Sequence, residues 1–277
     1  MSDIQEIEEF NNLHPFPDKY GATSLFRFYK IDVDKTQRLN SIFIDRKIYH
    51  ALPNQLNDPF ECRPHFTWRN SKKQKQRIRD HLINVAREKG RSKKDAEKLI
   101  LQNMKDSGFI ANTINDTVLK TFGEIRICSF TTKKENLLFW SHYADSHKGF
   151  CIEFDATKMP IVSAYKMHYQ DNYPVVDYPI PTDARGFEPA LIKSKHWEYE
   201  DEFRTVFVPY AEKQPDNDGE SLILRGDEIL NVYFGNNIDK DNKKILKDLI
   251  NSGPFNPVLW DTKLAKSTFM LEFKKCN

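Results

Sequence analysis

Residues 124–155 read EIRICSFTTKKENLLFWSHYADSHKGFCIEFD, and this stretch decides the class of fold. EIRICSF and GFCIEFD are short runs rich in β-branched and aromatic residues, which is typical of buried strands. The segment between them, ENLLFWSHYADS, brings Leu137, Leu138 and Ser141 to one face of a helix. Helices and strands therefore alternate within one domain.

The same patterns continue in both directions along the chain. LFRFYKI, starting at residue 25, and KIYHALP predict strands, and a helical turn lies between them. Further strands are predicted at DEFRTVFVPY, SLILR, LNVYFG, PVLWDTK and TFMLEFKK, with a helix at about 240–251. This order predicts an α+β fold with mixed, mainly antiparallel sheets.

The chain divides into an arm and one domain. Residues 1–24 are acidic and then proline-containing, which predicts a short helix followed by an extended arm. Residues 25–277 form a single α+β domain, with a helical insertion at about 69–122. Ser92, three residues before Asp95, marks the start of one inserted helix.

Composition limits the classes of protein that fit. The 277 residues are 39% apolar and 13% aromatic, as expected of a packed globular protein. No run approaches the roughly 20 apolar residues of a membrane helix, and the N-terminus lacks the pattern of a secretory signal. The four cysteines are scattered without a C-x-x-C pair. We therefore expect a cytoplasmic protein without membrane partners, with reduced cysteines and no structural metal.

Positive charge is concentrated in one block. The net charge is only +2, yet residues 69–105 contain thirteen Lys and Arg against four Asp and Glu. Clustered cations suit the phosphates of RNA or DNA, so Lys72, Lys73 and Arg77 are candidate substrate-binding residues. A solvated helix explains the block equally well, and only Trp68 and His81 add aromatic rings to it.

The string WEYEDEFR at residues 197–204 gathers charge next to an apolar strand. In an extended chain, Glu200, Glu202 and Arg204 share one face. Such a pair of carboxylates can act as acid, base or stabiliser of an oxocarbenium ion, while the arginine holds a phosphate or a carboxylate. The alternative interpretation is a structural cluster of ions.

A second string, FWSHYADSHKG at residues 139–149, combines aromatic and polar side chains. Trp140, Ser141, His142 and Tyr143 would form a ledge suited to a nucleotide or nicotinamide ring. The alternative is a core helix that ends before Gly149.

Two further elements are candidates for the site. Arg27 and Tyr29 on the first strand pair a cation with an aromatic ring, which suits a phosphate or a base. The sequence LNDPFE at residues 56–61 predicts a tight turn made by Asn57 and Asp58, from which Glu61 would reach a site.

Several well-known enzyme classes lack their signatures here. The chain contains no G-x-G-x-x-G, G-x-x-x-x-G-K-[ST], H-E-x-x-H or G-x-S-x-G. A metal-dependent nuclease remains an alternative, with Glu61, Glu153, Asp155 and Glu202 binding magnesium. A further alternative function is that of a regulatory module that binds a nucleotide without catalysis.

Four strings resemble the signatures of a widespread bacterial family known only as a domain of unknown function. They are LNDPFE, ICSFT, LLFWSHYADSHKGFCIEFD and WEYEDEFRTVF, and the resemblance spans about residues 25–235. It implies kinship and no particular chemistry.

The order of the candidate residues is similar, more distantly, to that of ADP-ribosyltransferases. That resemblance implies NAD bound in a cleft between two small sheets, with Arg27 or Tyr29 as the first element and Trp140 to Tyr143 near the nicotinamide. Glu202 would stabilise the ribosyl cation and Glu200 would orient the acceptor. It further implies a toxin or phage-defence effector that modifies nucleic acid or protein, with an antitoxin protein as a partner.

Overall fold

The computed structural model describes residues 3–31, 36–67, 71–180, 183–209 and 215–276. Within these ranges, the helices are α1 Asp3–Leu13, α2 Pro17–Tyr20, α3 Thr36–Phe43, α4 Lys72–Glu88, α5 Lys93–Asn103, α6 Phe109–Gly123, α7 Leu137–His142 and α8 Lys240–Ser252. The strands are β1 Ser24–Tyr29, β2 Lys47–Tyr49, β3 His65–Thr67, β4 Arg126–Thr131, β5 Phe150–Asp155, β6 Tyr165–Lys166, β7 His168–Gln170, β8 Val175–Asp177, β9 Ile192–Ser194, β10 Glu202–Phe207, β11 Ser221–Ile223, β12 Ile229–Phe234, β13 Val258–Leu264 and β14 Leu271–Lys275. The predicted α+β class is confirmed.

An eight-stranded sheet organises the domain. Its strand order is β14-β13-β12-β5-β1-β4-β10-β6, and only the pair β12–β13 is parallel. Three two-stranded sheets, β11–β2, β3–β8 and β7–β9, flank it. The expectation of mixed, mainly antiparallel sheets is also confirmed.

Alternation along the strands separates two faces of the large sheet. Leu25 points into the main core, where Phe43 of α3 and Leu246 of α8 pack against the strands. Its neighbour Phe26 points the other way and packs with Trp140 of α7. Helices α3 and α8 thus cover one face, and α7 lies on the opposite one.

The sheet parts between the neighbouring strands β1 and β4. Strand β1 pairs with β5 at six positions, and β4 pairs with β10 at six, but β1 and β4 meet only at Phe26 and Thr131. Further along β4, Ile127 pairs instead with Ala51 of a connecting segment. The resemblance to ADP-ribosyltransferases implied a cleft between two small sheets; the structure has a parting inside one sheet.

Three helices, α4 to α6, occupy the stretch where the sequence predicts a helical insertion. They share a small core with Tyr178 from outside the insertion, consisting of Ile78, Leu82, Ile100, Ile110 and Ile114. Ser92 precedes α5, and its Oγ accepts a hydrogen bond of 3.2 Å from the backbone of Asp95, as expected. Trp68 and Arg69 lie outside the described residues.

The N-terminal segment is helical and packs against the domain. Helix α1 agrees with the prediction, but α2 replaces the expected extended arm. Pro17 opens α2, because a proline at the first helical position already has a helical φ. Phe10 is buried, and His14 Nδ1 lies 2.9 Å from the carbonyl oxygen of Lys166.

Candidate functional site

A pocket of about 180 Å³ lies where β1 and β4 part. Its aromatic walls come from Phe26 and Phe28 of β1, from Phe139 of α7 and from Tyr143 directly after α7. Charged side chains from β9, β10 and the turn at 56–61 complete it. The charged residues that line it are Arg27, Glu61, Lys193, Glu200, Glu202 and Arg204.

Glu200, Glu202 and Arg204 reach this pocket together, but not by the extended chain that the sequence predicts. Lys195–Glu200 is a 3₁₀ segment, and β10 starts only at Glu202. Between them Asp201 has a left-handed backbone with φ of 46°, and its carboxylate accepts a 2.6 Å hydrogen bond from Lys166. This turn re-aims Glu200 toward the face that Glu202 and Arg204 occupy.

The three carboxylates at the base of the pocket converge on Lys193 of β9. Its ammonium lies 2.6 Å from Glu200, 2.9 Å from Glu202 and 3.1 Å from Glu61. All four side chains are at most 5% exposed. Lys193 therefore lies at the centre of the site, although no pattern in the sequence predicts it.

Arg204 forms the second cationic centre of the network. Its Nε donates to Glu202 at 2.6 Å, its Nη2 contacts Glu61, and its Nη1 donates to the carbonyl of Ala190 at 2.8 Å. The sequence predicts that Arg204 binds the substrate. In the structure its guanidinium is buried and already bonded by the protein, so its role is to hold Glu61 and Glu202 in place.

The surroundings of Glu200 and Glu202 shift the pKa values of these two carboxyl groups in opposite directions. Burial raises the pKa of Glu200, and Lys193 and a hydrogen bond from Tyr143 offset only part of this effect. Burial alone would also raise the pKa of Glu202, but the charges of Arg204 and Lys193 outweigh it and hold that pKa well below its ordinary value. Glu202 is therefore held as an anion, whereas Glu200 binds a proton more readily than an ordinary glutamate.

Tyr143 joins the aromatic wall to the acidic pair. Its hydroxyl donates to Glu200 at 2.6 Å and accepts a bond of 3.3 Å from Asn57. Burial and the hydrogen bond to Glu200 raise the pKa of Tyr143, so the phenol stays protonated. The turn at 56–61 also forms as predicted, with Asp58 accepting a 2.9 Å hydrogen bond from the backbone of Phe60.

Arg27 places a positive charge at the parting of the sheet. Burial would lower its pKa, but the nearby groups Cys128, Tyr29 and Glu202 raise it. Its Nη1 contacts Cys128 Sγ and lies 3.4 Å from the carbonyl of Ser129. Among the described residues, no carboxylate lies within ion-pair distance of its guanidinium. Tyr29 packs beside it, with the guanidinium 5.4 Å from the ring centre, but that ring stacks on Phe150 and does not line the pocket.

Three of the four residues predicted to hold the nicotinamide lie elsewhere. Trp140 is fully buried in the core behind α7, and its Nε1 donates to the carbonyl of Lys134 at 2.8 Å. Ser141 and His142 are exposed, and the Ser141 hydroxyl bonds to Leu137 in its own helix. Helix α7 ends at His142, so only Tyr143 faces the pocket.

The remaining nominated residues are separate from this pocket. Lys72, Lys73 and Arg77 are exposed on α4 and do not line it. Glu153, one of the four proposed magnesium ligands, is bonded by Ser24, Asn231 and Tyr233. Asp155, another, accepts from Thr157. The described part of the chain contains no group of three His, Cys, Asp or Glu placed to hold a metal ion.

Comparison of the chain with protein-family models, curated proteins and solved structures found no significant match. Among the described residues, no helix has the length and apolar character to cross a membrane. The pocket is therefore interpreted from its own chemistry.

Proposed function

We propose that this chain is an NAD-dependent ADP-ribosyltransferase-like enzyme whose active site is the pocket at the parting of β1 and β4. One observation carries the proposal: two glutamates, two residues apart, line one aromatic-walled pocket while their pKa values shift in opposite directions. Carboxylates separated in this way take distinct roles as proton carrier and fixed anion.

The residues fit the parts of NAD in a simple arrangement. The aromatic walls of Phe28, Phe139 and Tyr143 suit a nicotinamide ring, because flat rings pack well against aromatic side chains. Arg27, which also lines the pocket, offers its guanidinium for the pyrophosphate. Glu202, held ionised, faces the positive charge that develops on the ribose.

The proposed reaction moves the ADP-ribosyl group from nicotinamide to an acceptor. The bond between ribose C1′ and the nicotinamide nitrogen breaks, and its electron pair leaves with nicotinamide. Glu202 stabilises the resulting ribosyl cation. A lone pair of the acceptor then forms a bond to C1′, and the acceptor's proton passes to Glu200.

The test is release of nicotinamide from labelled NAD, together with label transfer to a mixture of protein, RNA and DNA. We expect Glu202→Gln to lower release by about 100-fold or more, while Glu198→Gln, which changes an exposed neighbouring carboxylate, keeps the parent rate. Thermal unfolding of both variants establishes that they fold. A parent protein that releases no nicotinamide would overturn the proposal.

A second candidate follows from the closed ion network. Since Lys193 and Arg204 already satisfy all three glutamates, the pocket also suits a regulatory module that binds a nucleotide without cleaving it. Calorimetry distinguishes the two, because the module binds NAD or another nucleotide and releases no nicotinamide.

In the cell, we propose that the enzyme acts as a toxin or phage-defence effector. Induced expression of the parent chain is then expected to arrest growth, and Glu202→Gln to relieve the arrest. A partner protein that restores growth would be the predicted antitoxin.

A further inference from the structure

A second and larger cavity adjoins the pocket. This groove, of about 570 Å³, shares Glu61 and Lys193 with the pocket as lining residues. Lys193 contacts Glu200 at 2.6 Å. A molecule in the groove would therefore be separated from Glu200 by the side chain of Lys193.

The groove presents aromatic rings to solvent. Phe60 is 65% exposed and Tyr173 is 44% exposed, although both line a cavity. Trp197 also lines the groove. Its Nε1 donates a 2.7 Å hydrogen bond to Asp58, and the Lys193 ammonium lies 4.9 Å from its ring centre. Exposed rings that surround a groove are typical of sites that stack a flat ligand.

A two-stranded sheet connects this groove to the basic insertion. β3 and β8 run parallel, and the groove residues Arg63 and Tyr173 lie two positions before them. At their far end, Tyr178 contacts α4 through Gln74, which donates to its carbonyl at 2.8 Å, and through the ring of His81. Three residues of strand span about 10 Å, so the cationic helix starts close to the groove.

We propose that this groove binds an unpaired base of a single-stranded nucleic acid, which is the acceptor of the ADP-ribosyl group. Phe60, Tyr173 and Trp197 would stack the base, and Lys72, Lys73 and Arg77 of α4 would hold the neighbouring phosphates. A nitrogen or oxygen of the base attacks C1′ as nicotinamide leaves, and its proton passes to Glu200. The assignment of the acceptor rests on the proposed function; binding of the strand does not.

Fluorescence anisotropy of labelled 20-nucleotide single strands of DNA and of RNA, beside the matching duplexes, tests this proposal. We expect Phe60→Ala combined with Tyr173→Ala to weaken single-strand binding by about tenfold or more. Phe269→Ala is the matched control, because this 97% exposed ring lies next to β14, at the edge of the sheet farthest from β10. The Phe269→Ala variant is expected to bind the single strands as tightly as the parent.

A second measurement tests the phosphate contacts. Arg77→Gln is expected to weaken binding evenly across sequences and to lower the slope of log affinity against log salt by about 0.7 for a single strand. A parent that prefers duplex, binds no strand, or is unaffected by loss of Phe60 and Tyr173 would overturn the proposal.

The two proposals fail separately. Nicotinamide release without strand binding would leave the enzyme in place and remove the nucleic-acid groove. Strand binding without nicotinamide release would keep the groove and remove the transferase. Transfer of label to protein alone would also overturn the acceptor assigned here.

Discussion

The ammonium of Lys193 lies 2.6 Å from Oε2 of Glu200, inside a pocket where both side chains are at most 5% exposed. Burial and Arg204 would lower the pKa of Lys193, but the carboxylates of Glu202, Glu61 and Glu200 raise it above its ordinary value. The lysine therefore remains charged and anchors the acidic pair.

Replacement of Lys193 by Met is expected to destabilise the protein strongly. The change leaves buried carboxylates without their cation, which typically costs about 3–5 kcal/mol in the free energy of unfolding. Denaturant unfolding measures this loss. Lys195→Met is the matched control, because Lys195 pairs with Asp171 on the surface, and we expect no measurable change from it. Equal stability of the two variants would contradict the buried network.

Stability is expected to depend on pH through Glu202. Its pKa lies well below the ordinary 4.5 in the folded protein, so below about pH 4.5 the unfolded chain binds the additional proton. The free energy of unfolding therefore falls as pH falls toward the folded pKa. The stability lost in Glu202→Gln should be largest at pH 7 and smaller at pH 3. A difference that does not change with pH would exclude an ionised Glu202.

Tyr143→Phe is expected to move the acidic limb of the pH–rate profile. The hydroxyl of Tyr143 lowers the pKa of Glu200 by stabilising its anion, although burial keeps that pKa above the ordinary 4.5. Loss of the hydroxyl should raise the pKa further, so that nicotinamide release with transfer requires a higher pH. Tyr49→Phe, which removes an exposed hydroxyl bonded to Gln55, should leave the limb in place.

Arg27→Gln is expected to act on NAD binding. Loss of a charged donor to phosphate should raise the KM for NAD by about tenfold or more, with a smaller effect on kcat. Arg27→Lys should restore part of the affinity, because it keeps the charge and loses the planar fork. Steady-state kinetics on NAD measures both constants. A fall in kcat with unchanged KM would place Arg27 in another role.

Ser141→Ala and His142→Ala are expected to keep turnover within about twofold of the parent, since both side chains are exposed outside the pocket. The same assay on Tyr143→Phe provides the contrast. A large loss of turnover in either alanine variant would place that side chain in the candidate site.

Local patterns in the sequence predicted much of the fold and part of the site. Alternation in β10 correctly placed Glu202 and Arg204 on one face, and period and composition located β4, α7, β5 and α8. These features depend on neighbours in the chain, which is why one sequence suffices for them.

Contacts between distant residues were not predictable in the same way. Lys193 is one of several lysines near WEYEDEFR, and nothing local shows that it meets Glu61, 132 positions earlier. Trp140 was assigned to the pocket because an aromatic residue on a short helix suits a core and a ligand equally well. The left-handed turn at Asp201 was not predictable from its neighbours, since its carboxylate bonds to Tyr20, Thr132 and Lys166, which are 35 or more residues away.

The contact between Glu61 and Arg204 joins residues 143 positions apart. During synthesis, Glu61 leaves the ribosome long before β9 and β10, and it remains hydrated until they arrive. The chain therefore carries no ionised, desolvated Glu202 until nearly three quarters of it has been translated. A chain that ends before β10 lacks both Glu202 and Arg204, so its Glu61 has no guanidinium to bind.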